Sequence, residues 1–270
     1  MPGKNKNRKD SILVISGIGV ILLMIPIAFL LWYGLYVFRD YSSVVNPLLK
    51  AIALTLYASA LASVIVFLIF TPLSYELARR KHRLLDAVSD IPASIPHPIV
   101  GIAILIMASP ITPLGRFLSS IGLNLFDSVL GMTAALAFVS APIYIRSAES
   151  IFTSSPMDPE IYGTSLGLSR FRMIYSILIP QHSREFLSSF LTAMSRGMSE
   201  FGSIAIIAEY ISGGIFSGTY PASVLIYQYY GYLGPQVAVT AAALMILVSL
   251  TLLAAIKIVV MRGKTDRRTF

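Results

Sequence analysis

The 270-residue chain contains no cysteine. Disulfides, thiolate metal sites and cysteine nucleophiles are thereby excluded, and the redox state of its compartment leaves no trace in the sequence. Charge is also scarce. Only 13% of residues are Asp, Glu, Lys or Arg, against about 25% in ordinary soluble domains, and the mean hydropathy is +0.76. That shortage argues against a water-soluble fold. No Gly-x-x-x-x-Gly-Lys-Ser/Thr phosphate loop and no His-Glu-x-x-His zinc helix occurs, so the chain has no means of binding ATP in the P-loop manner and no such zinc site. The three histidines, His82, His97 and His182, have no ligand spacing for a metal. A net charge of +8 would suit nucleic acid only as a basic patch on a soluble surface. Here the basic residues sit at the ends of apolar runs, and no nucleic-acid partner is expected.

What the sequence has in abundance is long uncharged runs, with 56% of its residues hydrophobic. A helix crossing the ~30 Å hydrocarbon core needs about 20 mostly apolar residues, because its backbone groups must be satisfied within the segment. Uncharged runs predict spans at about 12–38, 51–76, 91–109, 128–146 and 237–258. The first run exceeds the ~7–15 residues of a signal-peptide core and reads as an uncleaved span. A sixth span is predicted at 186–208 although it contains Arg196 and Glu200. Their four-residue spacing places both on one helical face, where they can pair. Lys and Arg crowd the N-terminal tail (1–10), the loop 79–90, the loop 147–185 and the C-terminal tail (262–270). The opposite loops hold only Arg39, Lys50 and Arg116, and 209–236 has no Lys or Arg. The positive-inside rule then makes both termini cytoplasmic, and two cytoplasmic termini require an even number of spans. The expectation is an all-α, polytopic membrane protein with one transmembrane domain, residues 11–261, set in the cell membrane among its lipids.

The loop 147–185 carries more information than a connector needs. Asp158 can cap a helix, Pro159 suits its first turn, and Glu160 complements the positive end of the dipole. Gly167 is the expected left-handed stop, and Ser169 can cap a second helix running toward Pro180. This spacing predicts a short, exposed helix of about two turns beneath the membrane.

The segment Glu160-Ile161-Tyr162-Gly163-Thr164-Ser165-Leu166-Gly167, with Ile177-Leu178-Ile179-Pro180 after it, resembles the cytoplasmic loop of the permease subunits of ABC importers. The match covers Glu160, Gly163, Gly167, Ile177 and Pro180 and departs at Tyr162, where that family usually has Ala. Three further stretches resemble the molybdate, tungstate and sulfate branch: Asp90 to Gly101, with His97 where that branch usually has Pro; Ser199-Glu200-Phe201-Gly202-Ser203; and Tyr220 to Tyr227. The resemblance spans roughly residues 48–260. It implies a type I importer permease, working as a homodimer and bearing a coupling helix that docks on a separate ATPase subunit. ATP and magnesium would be bound by that partner, with no cofactor on this chain. An extracytoplasmic solute-binding protein would deliver the oxyanion. Asp158, Pro159, Glu160, Tyr162, Gly163, Ser165, Leu166, Gly167, Leu168 and Ser169 are the candidate coupling residues.

Arg196 and Glu200, with Ser199 and Ser203, are candidates for a translocation path or gate, since ionisable residues within spans mark ion pathways. A helix-packing salt bridge is the other reading. If the path conducts anions, Glu200 must be paired or turned away. His97 lies among Pro92, Pro96 and Pro98, where helical hydrogen bonding is expected to break. Ser212 to Gly218 reads either as an anion-cradling backbone nest or as an external turn. A permease for another small solute, or a secondary transporter needing no ATPase, are the rival functions. The secondary transporter would require inverted repeats or several mid-membrane charges.

Overall fold

A computed structural model describes the backbone of residues 4–80 and 82–266 and the side chains of 12–42, 44–80 and 82–258. Residues 1–3 and 267–270 of the expected tails, and Lys81 of the basic loop, lie outside the described residues. The described chain is helical almost throughout, with only an isolated bridge between Ile211 and Thr219 in place of a sheet. It divides into two compact units, one made of 1–48 with 226–248 and the other of 49–225 with 249–270.

Helix α1 (Lys4–Trp32) takes up residues 4–10, which were expected as a tail, and leads into a π-helical turn at Tyr33–Phe38. α1 is apolar on all sides and exposed on all sides, from Ile12 to Phe29. A helix of that kind needs lipid or protein around it rather than water. At its end Phe29 stacks on Tyr33 and Trp32 packs on Tyr36, an aromatic group of the type found where a span meets the membrane–water interface. α2 (Tyr41–Arg79) begins in this first unit and continues into the second.

The second unit contains most of the remaining helices. α3 (Arg83–Ser94) and α4 (His97–Ala108) meet at a bend of 103°. The break falls at Ile95, whose backbone is extended, because a residue followed by proline is pushed out of the helical region. Pro92 stays inside α3 and Pro98 lies in the first turn of α4, so of the three prolines only Pro96 marks the break. α5 (Pro113–Ser120) is capped by Thr112, whose hydroxyl accepts from the Gly115 N–H at 3.0 Å. α6 (Val129–Ser154), capped by Ser128, is the buried pillar of the unit. After it come α7 (Asp158–Ser165), α8 (Arg170–Met173), a π-helical turn at Ile174–Leu178, and α9 (Ile179–Gln181). The turn precedes Pro180, which has no N–H to donate and crowds the carbonyl four residues back. α10 (Ser183–Met198) and α11 (Ile204–Ile207) follow, then α12 (Ala222–Tyr232) and α13 (Pro235–Asp266).

Two apolar clusters hold this unit together. One gathers Leu54, Val100, Ile104, Met132, Leu136, Ile204 and Ile207 from α2, α4, α6 and α11. The other gathers Tyr75, Tyr144, Phe152, Met173, Leu178 and Phe186 from α2, α6, α8 to α9 and α10. Where α4 crosses α11, a Cβ on Gly101 would lie 2.5 Å from the Ser203 carbonyl oxygen, so only glycine permits that approach.

Among the described residues four helical segments are long and apolar enough to cross a membrane: Ile12–Phe38, Val44–Arg79, Val129–Ser154 and Pro235–Ile258. The bent pair α3–α4 makes a fifth if it counts as one. The stretch predicted as a single span at 186–208 is instead a 16-residue helix, a break and a four-residue turn. Its cause is local. The Glu200 carboxylate accepts the backbone N–H of Ser203 at 2.9 Å, a side-chain bond that competes with continuing the helix.

Candidate functional site

Two groups of residues stand out, one in the loop after α6 and one at the break after α10. In the first, α7 starts at Asp158, with Met157 as the flanking residue and no side-chain cap. The expected cap by Asp158 is therefore not formed. Its carboxylate and that of Glu160 lie in the first turn, where they oppose the positive end of the helix dipole. The far end follows the sequence reading closely. Gly167 has φ +76°, the Gly167 N–H donates to the Thr164 carbonyl and the Leu168 N–H to the Gly163 carbonyl, both at 3.0 Å. This is a complete Schellman stop, which needs a residue free to adopt the left-handed conformation. Ser169 then caps α8, its hydroxyl accepting from the Arg172 N–H at 3.3 Å.

The outer surface of α7 carries an apolar patch among polar groups. Ile161 and Tyr162 are exposed and Leu166 is 81% exposed, while Asp158 and Ser165 are exposed beside them, Pro159 and Leu168 are half-buried, and Gly163 is buried against Met173. The underside is anchored by a contact that the sequence did not disclose. Glu160, almost fully buried, accepts from the Tyr75 hydroxyl at 2.7 Å and from Arg79 Nε at 2.8 Å and Nη2 at 2.5 Å. The planar fork of Arg79 fixes α7 to the end of α2. Alongside lies a cavity of about 480 Å³, lined in part by Glu76, Arg80, Met157, Ile161 and Arg170.

Gly163-Thr164-Ser165-Leu166-Gly167 also spells the Gly-x-Ser-x-Gly string of hydrolase elbows. An elbow requires a strand before the serine and a helix after it. Here the string runs off the end of a helix, and the Ser165 hydroxyl donates to the Ile161 carbonyl at 2.9 Å. It is not a nucleophile's setting.

In the second group, Arg196 and Glu200 pair at 3.2 Å. The structure adds His97, brought from the α3–α4 break, whose Nδ1 lies 2.8 Å from Glu200 Oε2. Glu200 Oε1 accepts both the backbone N–H and the hydroxyl of Ser203 at 2.9 Å. Arg196 also donates to the Ser199 hydroxyl at 3.2 Å. Ser203 is buried and Ser199 exposed. Spacing could pair Arg196 with Glu200, since both share one helical face. It could not supply His97, 99 residues from Arg196, which had been read as part of a proline break only.

The loop Ser212 to Gly218 folds on itself: the Gly218 N–H donates to the Ile211 carbonyl and the Ser217 N–H to the Gly214 carbonyl, and Ser212 bonds the Asp127 carbonyl. These bonds make it a turn. On the basic loop, Arg80 pairs with Glu76 at 3.4 Å. A further group absent from the sequence reading is Arg146 on α6, which grips Asp86 and Asp90 of α3 and Glu149 of its own helix. Among the described residues no His or acidic cluster has the makings of a metal site.

With this geometry in view, comparison with known proteins is informative. The chain is 28% identical over 226 residues to the molybdate/tungstate transport system permease protein of Pyrococcus furiosus, covering 82% of each chain. It is 31% identical to a probable sulfate transport system permease protein of Nephroselmis olivacea, covering 77% of this chain and 73% of that one. Its fold matches a chain of the inward-facing MetNI methionine ABC transporter with a TM-score of 0.56 at 17% identity, over 80% of this chain and 94% of the other. Residues 73–262 match the family model for the inner membrane component of binding-protein-dependent transport systems. With its helical importer-permease fold, the chain belongs to the family of binding-protein-dependent transport system inner membrane components.

Proposed function

We propose that this chain is the permease of an importer for a tetrahedral oxyanion of the molybdate, tungstate or sulfate class, driven by a separate ATPase subunit. Two copies form the path, a solute-binding protein loads it from outside, and six segments cross the membrane with both termini cytoplasmic. In that count the α3–α4 pair supplies the third crossing, and α10 with α11 the fifth. Closure of the ATPase subunits on ATP draws the coupling segments together and opens the path outward; hydrolysis returns it. The chain itself contributes no catalytic group.

The observation that supports this most strongly is α7. It is an eight-residue knob with an apolar patch outside, ended by a Schellman stop and fixed beneath by Glu160 to Arg79 and Tyr75. An exposed helix so rigidly seated can transmit force into the end of α2. Relatives named for molybdate, tungstate and sulfate transport support the substrate class.

The test is Gly167→Val. A β-branched residue is strained at a positive φ, so the stop should distort while the membrane helices remain. The expected result is normal insertion with loss of binding-protein-stimulated ATP hydrolysis. Wild-type stimulation in this variant would refute the assignment of the knob.

A further inference from the structure

An anion passing through a protein is repelled by any carboxylate it meets, and the break after α10 contains one. The hydrogen bonds around Glu200 deal with that charge. Its side chain is 1% exposed, whereas Arg196 beside it is 23% exposed and His97 32%. All the donors named above converge on the carboxylate: His97 Nδ1 and Arg196 Nη2 on Oε2, the Ser203 N–H and hydroxyl on Oε1. Two oxygens offer about four lone-pair sites, and four donors fill them. Arg196 Nη2 also lies 3.1 Å from His97 Nδ1 and 3.0 Å from Nε2, so ring, guanidinium and carboxylate form one cluster. Three elements meet here, the start of α4, the end of α10 and the start of α11, so the arrangement depends on both helix breaks at once.

We propose that His97 and Ser203 are positioning residues that hold the Glu200 carboxylate inward, so that the guanidinium of Arg196 is the charge a passing oxyanion meets. Glu200 serves as the buried counter-charge that keeps Arg196 in place, and it is not a group of the path. This rests on the oxyanion-importer reading and specifies which side chains make its path hospitable to anions.

The test uses the complete transporter, this chain with its ATPase subunit and solute-binding protein, in proteoliposomes. Uptake of molybdate, tungstate and sulfate is measured beside binding-protein-stimulated ATP hydrolysis. In His97→Ala the carboxylate loses a donor and is freed toward the path. Uptake should fall on the order of a hundred-fold, the effect of one carboxylate acting on a doubly charged anion across roughly 10 Å at an effective dielectric of about 20, while hydrolysis persists. The double variant His97→Ala with Glu200→Gln should regain the uptake of Glu200→Gln alone, because an amide at 200 carries no charge to repel. A merely structural role for His97 would not be rescued by removing a charge elsewhere. Unchanged uptake in His97→Ala, or a double variant as poor as His97→Ala, would overturn the proposal. Should His97→Ala fail to assemble, Arg196→Gln decides alone: loss of uptake with hydrolysis persisting is expected, and wild-type uptake would overturn the proposal. Failure of the wild type to move any of the three anions while hydrolysing ATP normally would instead sink the substrate reading, and the proposal with it.

Discussion

Glu160 and Glu200 are both buried, both bonded to an arginine, and put to opposite uses. Glu160 lies inside an unbroken helix, and its donors, Tyr75 and Arg79, come from another helix more than 80 residues earlier. It ties one element to another. Glu200 takes its arginine from the preceding turn of its own chain and turns its other oxygen onto the N–H of Ser203. It lies in the break just past the end of α10. The same carboxylate is a strut in one place and a break in the other, and what decides is where the donors are. A carboxylate whose donors are distant side chains leaves its own backbone free to continue as a helix. One that accepts a neighbouring backbone N–H occupies a donor the helix would use.

That contrast predicts unequal dependence on the two arginines. Arg79→Ala strands Glu160 with a single donor, and removing one partner of a buried pair costs about 3–5 kcal/mol. The expected result is a large fall in thermal stability in detergent and loss of ATPase co-purification. Arg196→Ala leaves Glu200 with His97 and Ser203, and removing one bond to a charged group costs about 2 kcal/mol. Equal losses in the two variants would erase the distinction. Smaller still is Ser169→Ala, which removes an exposed cap worth about 1 kcal/mol. Its unfolding temperature should shift least of the three, and co-purification should survive.

Much of the coupling region was legible before any coordinates. Pro159, Gly167 and Ser169 are backbone punctuation, and such residues act within a few positions of themselves. The sequence therefore located α7, its stop and the cap of α8, missing only the first residue of the helix. The long spans were legible for a related reason, since hydropathy is a property of a continuous run. The segment 186–208 was legible as apolar and of spanning length, but not as broken in two. Nothing in its composition announces that a glutamate will bond the backbone three residues on.

Chain order and local chemistry thus determined that this is a helical membrane protein, where its long apolar helices lie, and that a short exposed helix stands between two of them. Only the tertiary structure decided that Arg79 anchors that helix, that Arg146 binds α3 to α6, and that His97 joins Arg196 and Glu200. The reason is physical. Hydropathy and capping act along a few consecutive residues and are written there. A charge buried away from water must find its partner wherever packing brings one within about 3 Å, and that distance is measured through space.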